Sequence, residues 1–314
     1  MKKFLKIKQY VIFNRGRYAK HRRNYAIAGI LLLGLTANFL GAQPPELTQP
    51  QPKRNEKEYP PGFYAGDPIP DHTVYLTFDD GPVDWTDEIL DTLHANDVKA
   101  TFFICANWWP GSTRKQNAFK KFKDTLTRMV EEGHVLGNHT AGHGSFEAMS
   151  AQKIERQLDL NQELLNEVLE EKAPKMTLIR PPFGHPWNYG TKPEEKVRVA
   201  NVLKKKGFVM MWSKNFNSKD SREWVKGEWY ERGSKIDVDK KEFRQKTHDI
   251  YNQIIKNLKG GGVVILFHDT HLTSVKVLPE LIQKLKSLGY RFATLEDYVQ
   301  WRWKASSGEL MNIQ

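Results

Sequence analysis

Residues 73–82 read Thr73-Val74-Tyr75-Leu76-Thr77-Phe78-Asp79-Asp80-Gly81-Pro82. The first six are a strand pattern, two acids end it, and Gly-Pro turns the chain. A helix is expected next over Thr86–Leu93, with Ile89, Leu90 and Leu93 on one side, and then a second strand over Lys99–Ile104. The same alternation runs on. Strands are expected at His134–Asn138, Thr177–Arg180, Phe208–Trp212, Gly262–Phe267 and Arg291–Thr294. Helices are expected at Ala118–Glu132, from a Ser150 cap to about Glu171, at Glu194–Lys206, around Ile250, Ile254 and Leu258, and at Val277–Leu288. Seven strands alternating with helices imply a parallel sheet covered by helices. Chemistry-bearing residues stand at the ends of five of these strands, which favours a (β/α) barrel over an open sheet with a single switch point.

The chain has 314 residues and a formal net charge of +11. Residues 1–42 hold nine Lys and Arg and no acid, leaving 39 basic against 37 acidic residues in the remainder. The excess therefore belongs to a targeting segment, and no nucleic-acid partner is expected. Cys105 is the one cysteine, which excludes an intrachain disulfide and a multi-thiolate metal site.

Residues 1–23 are expected to be a basic cytoplasmic segment. Residues 24–42 carry no charge and as a helix reach about 30 Å, the thickness of a bilayer core. With the cations before it, this stretch is expected to anchor the chain in the inner membrane and export the downstream residues to the periplasmic or extracellular side. A cleaved signal peptide is the alternative, although Leu40 and Leu35 spoil the nearest cleavage patterns. A Pro-rich linker over 43–69, a catalytic domain over 70–300 and a tail over 301–314 complete the organisation.

Adjacent carboxylates at 79 and 80 can split roles, one binding a metal and one holding a proton; alone, Asp-Asp-Gly-Pro is equally a plain turn. His139 and His143 are four apart, which on a helical turn puts both on one face to grip a metal. With a carboxylate from another strand end they make a three-ligand set that leaves room for water, the form of a catalytic site. Arg180, before two prolines, is placed to pair with Asp79, and a surface ion pair is the bland reading. His268 ends an apolar strand as a candidate general acid or a satisfied core histidine.

These segments together resemble the polysaccharide deacetylases with the NodB homology domain, carbohydrate esterase family four. The runs Thr77-Phe78-Asp79-Asp80-Gly81-Pro82, His139-Thr140-Ala141-Gly142-His143, Arg180-Pro181-Pro182-Phe183 and Leu266-Phe267-His268-Asp269 carry the likeness, in the family's order, over roughly 70–300. The resemblance implies a distorted (β/α) barrel. It also implies a divalent metal, usually Zn2+ with Co2+, Mn2+ or Ni2+ as alternatives, on Asp80, His139 and His143. Asp79 would be the base toward the attacking water, Arg180 would orient Asp79, and His268 would protonate the leaving amine. The backbone N–H near Phe183 would help hold the oxyanion. Phe183, Trp212, Asn215 and Leu266 are the substrate contacts expected.

One motif departs. Asn215 stands where the family has an Asp that tunes the catalytic histidine, and no Trp follows until Trp224. An Asn brings no negative charge, so His268 would be less readily protonated unless Asp220 or Asp269 compensates. The aromatics Trp108, Trp109, Trp224, Trp229 and Tyr230 lie in loops after strand ends, as sugar-stacking rings or ordinary packing. The expected protein is a monomeric, metal-dependent N-deacetylase acting on an N-acetylated cell-envelope polysaccharide, peptidoglycan first. Its rivals are an O-acetyl esterase and a catalytically impaired glycan-binding domain.

Overall fold

A computed structural model describes residues 63–64, 69–106, 117–186, 192–206, 209–211, 216–218, 220, 238–258 and 260–312. The acid-terminated run forms β2 (Thr73–Asp79), buried at every position. Before it lies β1 (Phe63–Tyr64), and after it α1 (Thr86–Ala95), β3 (Thr101–Ile104), α2 (Ala118–Lys121), α3 (Lys123–Glu131) and β4 (Val135–Asn138). Then come α4 (Ala151–Leu169), β5 (Leu178–Ile179), α5 (Pro193–Lys206), β6 (Val209–Met211) and β7 (Phe216–Asn217). The chain continues through α6 (Lys241–Asn257), β8 (Val263–His268), α7 (Leu272–Ser287), β9 (Arg291–Ala293), α8 (Leu295–Trp303) and α9 (Ser307–Asn312).

Every strand pair in the sheet is parallel, in the order β1-β6-β5-β4-β3-β2-β8-β7. From β2 to β6 spatial order follows chain order, as in a barrel wall and unlike a sheet that reverses at a switch point. Along one edge β2 pairs with β8. The other edge is shared, with β9 beside Thr73–Tyr75 and β3 beside Thr77–Asp79. Among the described residues no ladder joins β1 to β7, which accords with a distorted barrel.

The two faces of β2 explain its unbroken burial. Val74, Leu76 and Phe78 pack outward with α1 and α7 residues such as Ile89, Leu93, Leu278 and Leu281. Full burial of a ring such as Phe78 is worth about 1.5–3 kcal/mol. Tyr75 faces inward with Phe103, Leu178 and Val264, where α8 adds Leu295, Tyr298 and Val299. Period-two alternation then carries Thr77 and Asp79 onto the inward face. In β8 the same alternation carries Leu266 and His268 inward from Val264.

Several elements depart from the pattern expected. The helix read over 118–132 is broken at Phe122, which leaves helical geometry with ψ at 30° and is buried. Helix α7 begins at Leu272, earlier than expected, because buried Thr273 and Ser274 hide the apolar period. Helix α8 runs across residue 300, and α9 follows it. Among the described residues no helix is long and apolar enough to cross a membrane, and residues 24–42 lie outside the described residues.

Candidate active site

The site is built at the C-terminal ends of β2, β4, β5 and β8. Neighbouring strand residues point to opposite faces, so Asp79 and Asp80 can meet one site only if the backbone bends. It does: Asp80 has φ 82, a region Asp tolerates better than most residues, and its N–H donates to Phe103 O at 3.1 Å. Gly81 follows because nothing larger fits; a Cβ there would lie 1.8 Å from Asp269 Oδ2.

The histidine pair converges by another route than the helical turn expected. Residues 139–143 form an irregular turn with φ 68 at Thr140 and φ 51 at His143. Asn138 Oδ1 accepts the Thr140 N–H at 2.8 Å and Thr140 Oγ1 accepts the His143 N–H at 3.0 Å, so side chains replace helical hydrogen bonds. The outcome is a three-residue cluster. Asp80 Oδ1 lies 3.2 Å from His139 Nε2 and 3.0 Å from His143 Nε2, and all three side chains are buried.

This donor set suits a divalent cation. His139 Nδ1 lies 2.6 Å from the Arg180 carbonyl, which can only accept, so Nδ1 carries a proton and the ring turns Nε2 to Asp80, the nitrogen that would bind a cation. Burial opposes ionisation of Asp80, but His143 and His139 more than offset it and hold its carboxyl well below the usual carboxylate range. Among the described residues this buried carboxylate oxygen has two imidazole nitrogens beside it and no further hydrogen-bond partner, a ligand set of the Asp-His-His type.

Beside it, Arg180 is almost wholly buried and donates from one guanidinium nitrogen to Asp79 Oδ1 at 2.7 Å and to Thr77 Oγ1 at 2.8 Å. The guanidinium also lies 4.3 Å over the Phe103 ring. Arg180 therefore serves two functional groups, Asp79 through its side chain and His139 through its carbonyl. Breaking such a buried pair costs about 3–5 kcal/mol, so the surface-ion-pair reading of Arg180 is excluded.

At the end of β8, His268 faces Asp220. Its Nδ1 lies 2.9 Å from Asp220 Oδ1, and its N–H donates to Asp220 Oδ2 at 2.6 Å. Ser274 Oγ donates to the same Oδ2 at 2.7 Å. Burial pulls the His268 pKa down, but the Asp220 carboxylate more than reverses this, and with Asp80 and Asp79 it is pushed up to about 10. Asp220 is held below the usual carboxylate range, because the charge and hydrogen bond of His268, with the Ser274 hydroxyl, outweigh its burial. His271 packs edge-on to His268 with ring centres 5.6 Å apart, and burial pushes it down to about 4, so it is neutral.

The charge expected at position 215 is thus supplied from position 220. Asn215 and Trp212 lie outside the described residues, as do Trp108, Trp109, Trp224, Trp229 and Tyr230. Asp269 does not share the task. Its Oδ2 accepts from Thr86 Oγ1 at 2.8 Å, its carbonyl accepts from Trp85 Nε1, and burial pushes its carboxyl up to about 8. His268 therefore has a carboxylate partner despite the Asn at 215.

Of the expected substrate contacts, Phe183 is 58% exposed beside the cluster, with its ring 4.6 Å edge-on to His143. Leu266 is buried two residues before His268 on the inward face. Ser274, a polar residue inside an apolar helix, is not singled out by the sequence. His185 and His271, near the motifs in sequence but given no role there, lie at the site, His185 with its Nδ1 2.6 Å from Ser145 Oγ beyond Phe183.

A polysaccharide deacetylase family model matches residues 66–210. A peptidoglycan-N-acetylglucosamine deacetylase of Bacillus cereus is 31% identical over 248 residues, spanning 79% of this chain and 77% of that protein. The crystal structure of a polysaccharide deacetylase from Bacillus cereus superposes with a TM-score of 0.53 at 29% identity, covering 71% of this chain and 91% of that one. A chitin deacetylase from the fungal pathogen Colletotrichum lindemuthianum superposes with a TM-score of 0.58 at 25% identity, covering 76% and 92%.

Proposed function

The chain belongs to the polysaccharide deacetylase family and is an enzyme of that kind, and from this premise we propose that it is a metal-dependent hydrolase removing N-acetyl groups from N-acetylhexosamine units of peptidoglycan. The observation that carries the reading is the Asp80-His139-His143 cluster at the same strand ends as a carboxylate held by Arg180 and a histidine paired with Asp220, on which Asp80 and Asp79 both act electrostatically. Zinc suits two imidazoles and a carboxylate best, and a cation held there supplies Lewis acidity, acidifying water and polarising a carbonyl.

The chain's own residues divide the proton work. Asp79, its Oδ1 occupied by Arg180, takes the proton from the attacking water. His268, cationic beside Asp220, gives a proton to the departing amine nitrogen, without which an amide has a poor leaving group. The N–H near Phe183 is the proposed donor to the oxyanion. Peptidoglycan is favoured because the Bacillus cereus relative carries that substrate in its name and because residues 24–42 would tether the domain beside the wall.

Metal analysis of the purified chain and acetate release from peptidoglycan and from chitin oligomers test this together. About one bound metal per chain and acetate from peptidoglycan are expected; a metal-loaded protein that frees acetate from no glycan sinks the proposal, and release from O-acetylated glycans alone transfers it to an esterase. The full-length chain is further expected in the membrane fraction of its cell, and a version lacking residues 1–42 in the soluble one. Equal partition of both defeats the anchor.

A further inference from the structure

The cluster's histidine turn is held from outside by helix α4. Asn161 lies on the face of α4 that buries Ile154, Leu158 and Leu165, and it is itself wholly buried. An unsatisfied amide there would be destabilising, yet this one is bonded on both sides. Its Oδ1 accepts the Ala106 N–H at 3.0 Å, and its Nδ2 donates to Ile104 O at 2.9 Å and to Asn138 Oδ1 at 3.1 Å. One partner is a donor and two are acceptors, so the amide has a single orientation.

Every N–H of the turn is satisfied, two on acceptors that Asn161 also holds, two on Gln157 and one within the turn. His139 donates to Ile104 O at 3.0 Å and Thr140 to Asn138 Oδ1 at 2.8 Å, both of them acceptors shared with Asn161. One helical turn earlier, Gln157 accepts from Ala141 through its carbonyl at 3.1 Å and from Gly142 through Oε1 at 2.8 Å. His143 donates to Thr140 Oγ1 at 3.0 Å. Thr140 and His143 hold left-handed backbone that an unconstrained chain avoids, so this turn persists only where its surroundings over-determine it.

We infer that Asn161, with Gln157, is a positioning residue that sets cation affinity from outside the ligand set. Neither side chain is a ligand. Together they fix the turn in which His139 and His143 converge on Asp80, and without them the turn relaxes and the two imidazoles part. The inference rests on the Asp80-His139-His143 cation site proposed above.

The test measures the zinc dissociation constant of the full chain by competition with a chelator. Asn161→Leu, close in volume but without polar atoms, is expected to weaken zinc by about 10- to 100-fold. Gln157→Ala, at a half-buried position, should weaken it less, by about three- to tenfold. Acetate release by Asn161→Leu should return once zinc exceeds the new dissociation constant, with the substrate KM unchanged, which general damage to the fold would not allow. Wild-type zinc affinity in folded Asn161→Leu overturns the inference. If that variant does not fold, unchanged affinity in Gln157→Ala overturns it instead. Failure of the unaltered chain to bind zinc defeats the cation site itself, and is distinguished from both by that control.

Discussion

Asp79→Asn is expected to keep its bound metal and to lose about 10²- to 10⁴-fold in turnover, the range for removing a general base. The side chain stays the same size and still offers an oxygen to the Arg180 guanidinium, now 2.7 Å from Asp79 Oδ1. What disappears is the basicity, and with it the capacity to take a proton. Asp80→Ala is the contrasting case. It deletes the oxygen on which His139 and His143 converge, so metal should be lost on dialysis and turnover with it. The two variants separate adjacent carboxylates that the strand's alternation alone would send to opposite faces. Metal content by elemental analysis, beside initial rates of acetate release, reads both. Turnover retained in Asp79→Asn removes Asp79 as the base, and full metal retained in Asp80→Ala removes Asp80 from the ligand set. Asp79→Asn also removes the carboxylate charge that the buried Arg180 guanidinium pairs with, so a fall in thermal stability is expected and the rates belong to protein confirmed as folded.

The sequence made some of this site legible and hid the rest for identifiable reasons. Asp79 and His268 close strands, Asp80, His139 and Arg180 directly follow them, and His143 comes four residues after His139, so their shared location follows once the strands are parallel. The path by which the histidines meet was not legible. A four-residue spacing suggests a helical turn, but Asn138 and Thr140 hydrogen-bond the backbone locally and bend it into left-handed conformations instead. The partner of His268 was displaced by five positions, from 215 to 220, in a polar stretch with no periodicity to fix its register; tertiary packing alone brings Asp220 to β8 and Ser274 to Asp220. Asn161 did leave a signal. It falls in the stripe of Ile154, Leu158 and Leu165, where a polar residue must find buried partners, although the apolar members alone set the helical period.

Asp220→Asn is the variant that decides whether the displaced acid does the work assigned to it. The expected result is a turnover about 10²-fold lower near neutrality, together with a shift of the alkaline limb of the pH–rate profile toward lower pH. The sign follows from the forces on His268. Burial pulls its pKa down, and Asp220, ahead of Asp80 and Asp79, pushes it up to about 10. Loss of the Asp220 charge leaves burial the stronger influence, so less of the histidine is protonated at any pH above its new value. A cation on Asp80 neutralises part of the remaining field, so in the metal-loaded enzyme the limb lies below 10 and the variant's shift isolates Asp220. Stability should follow the same linkage. A histidine whose folded pKa exceeds its unfolded value of about 6.5 stabilises fully below that value, and the contribution is lost as pH rises through the folded pKa. Thermal unfolding of the wild type should therefore weaken between roughly pH 7 and 10 from this group, and Asp220→Asn should lack that component. An unmoved alkaline limb in a folded variant would show that His268 is not the acid, or that Asp220 does not govern it. Where the limb does move, Asp220→Glu separates charge from geometry, since it keeps the charge but not the 2.6 Å bond to the His268 N–H: restored protonation without restored rate places the requirement in geometry, whereas recovery of both places it in charge.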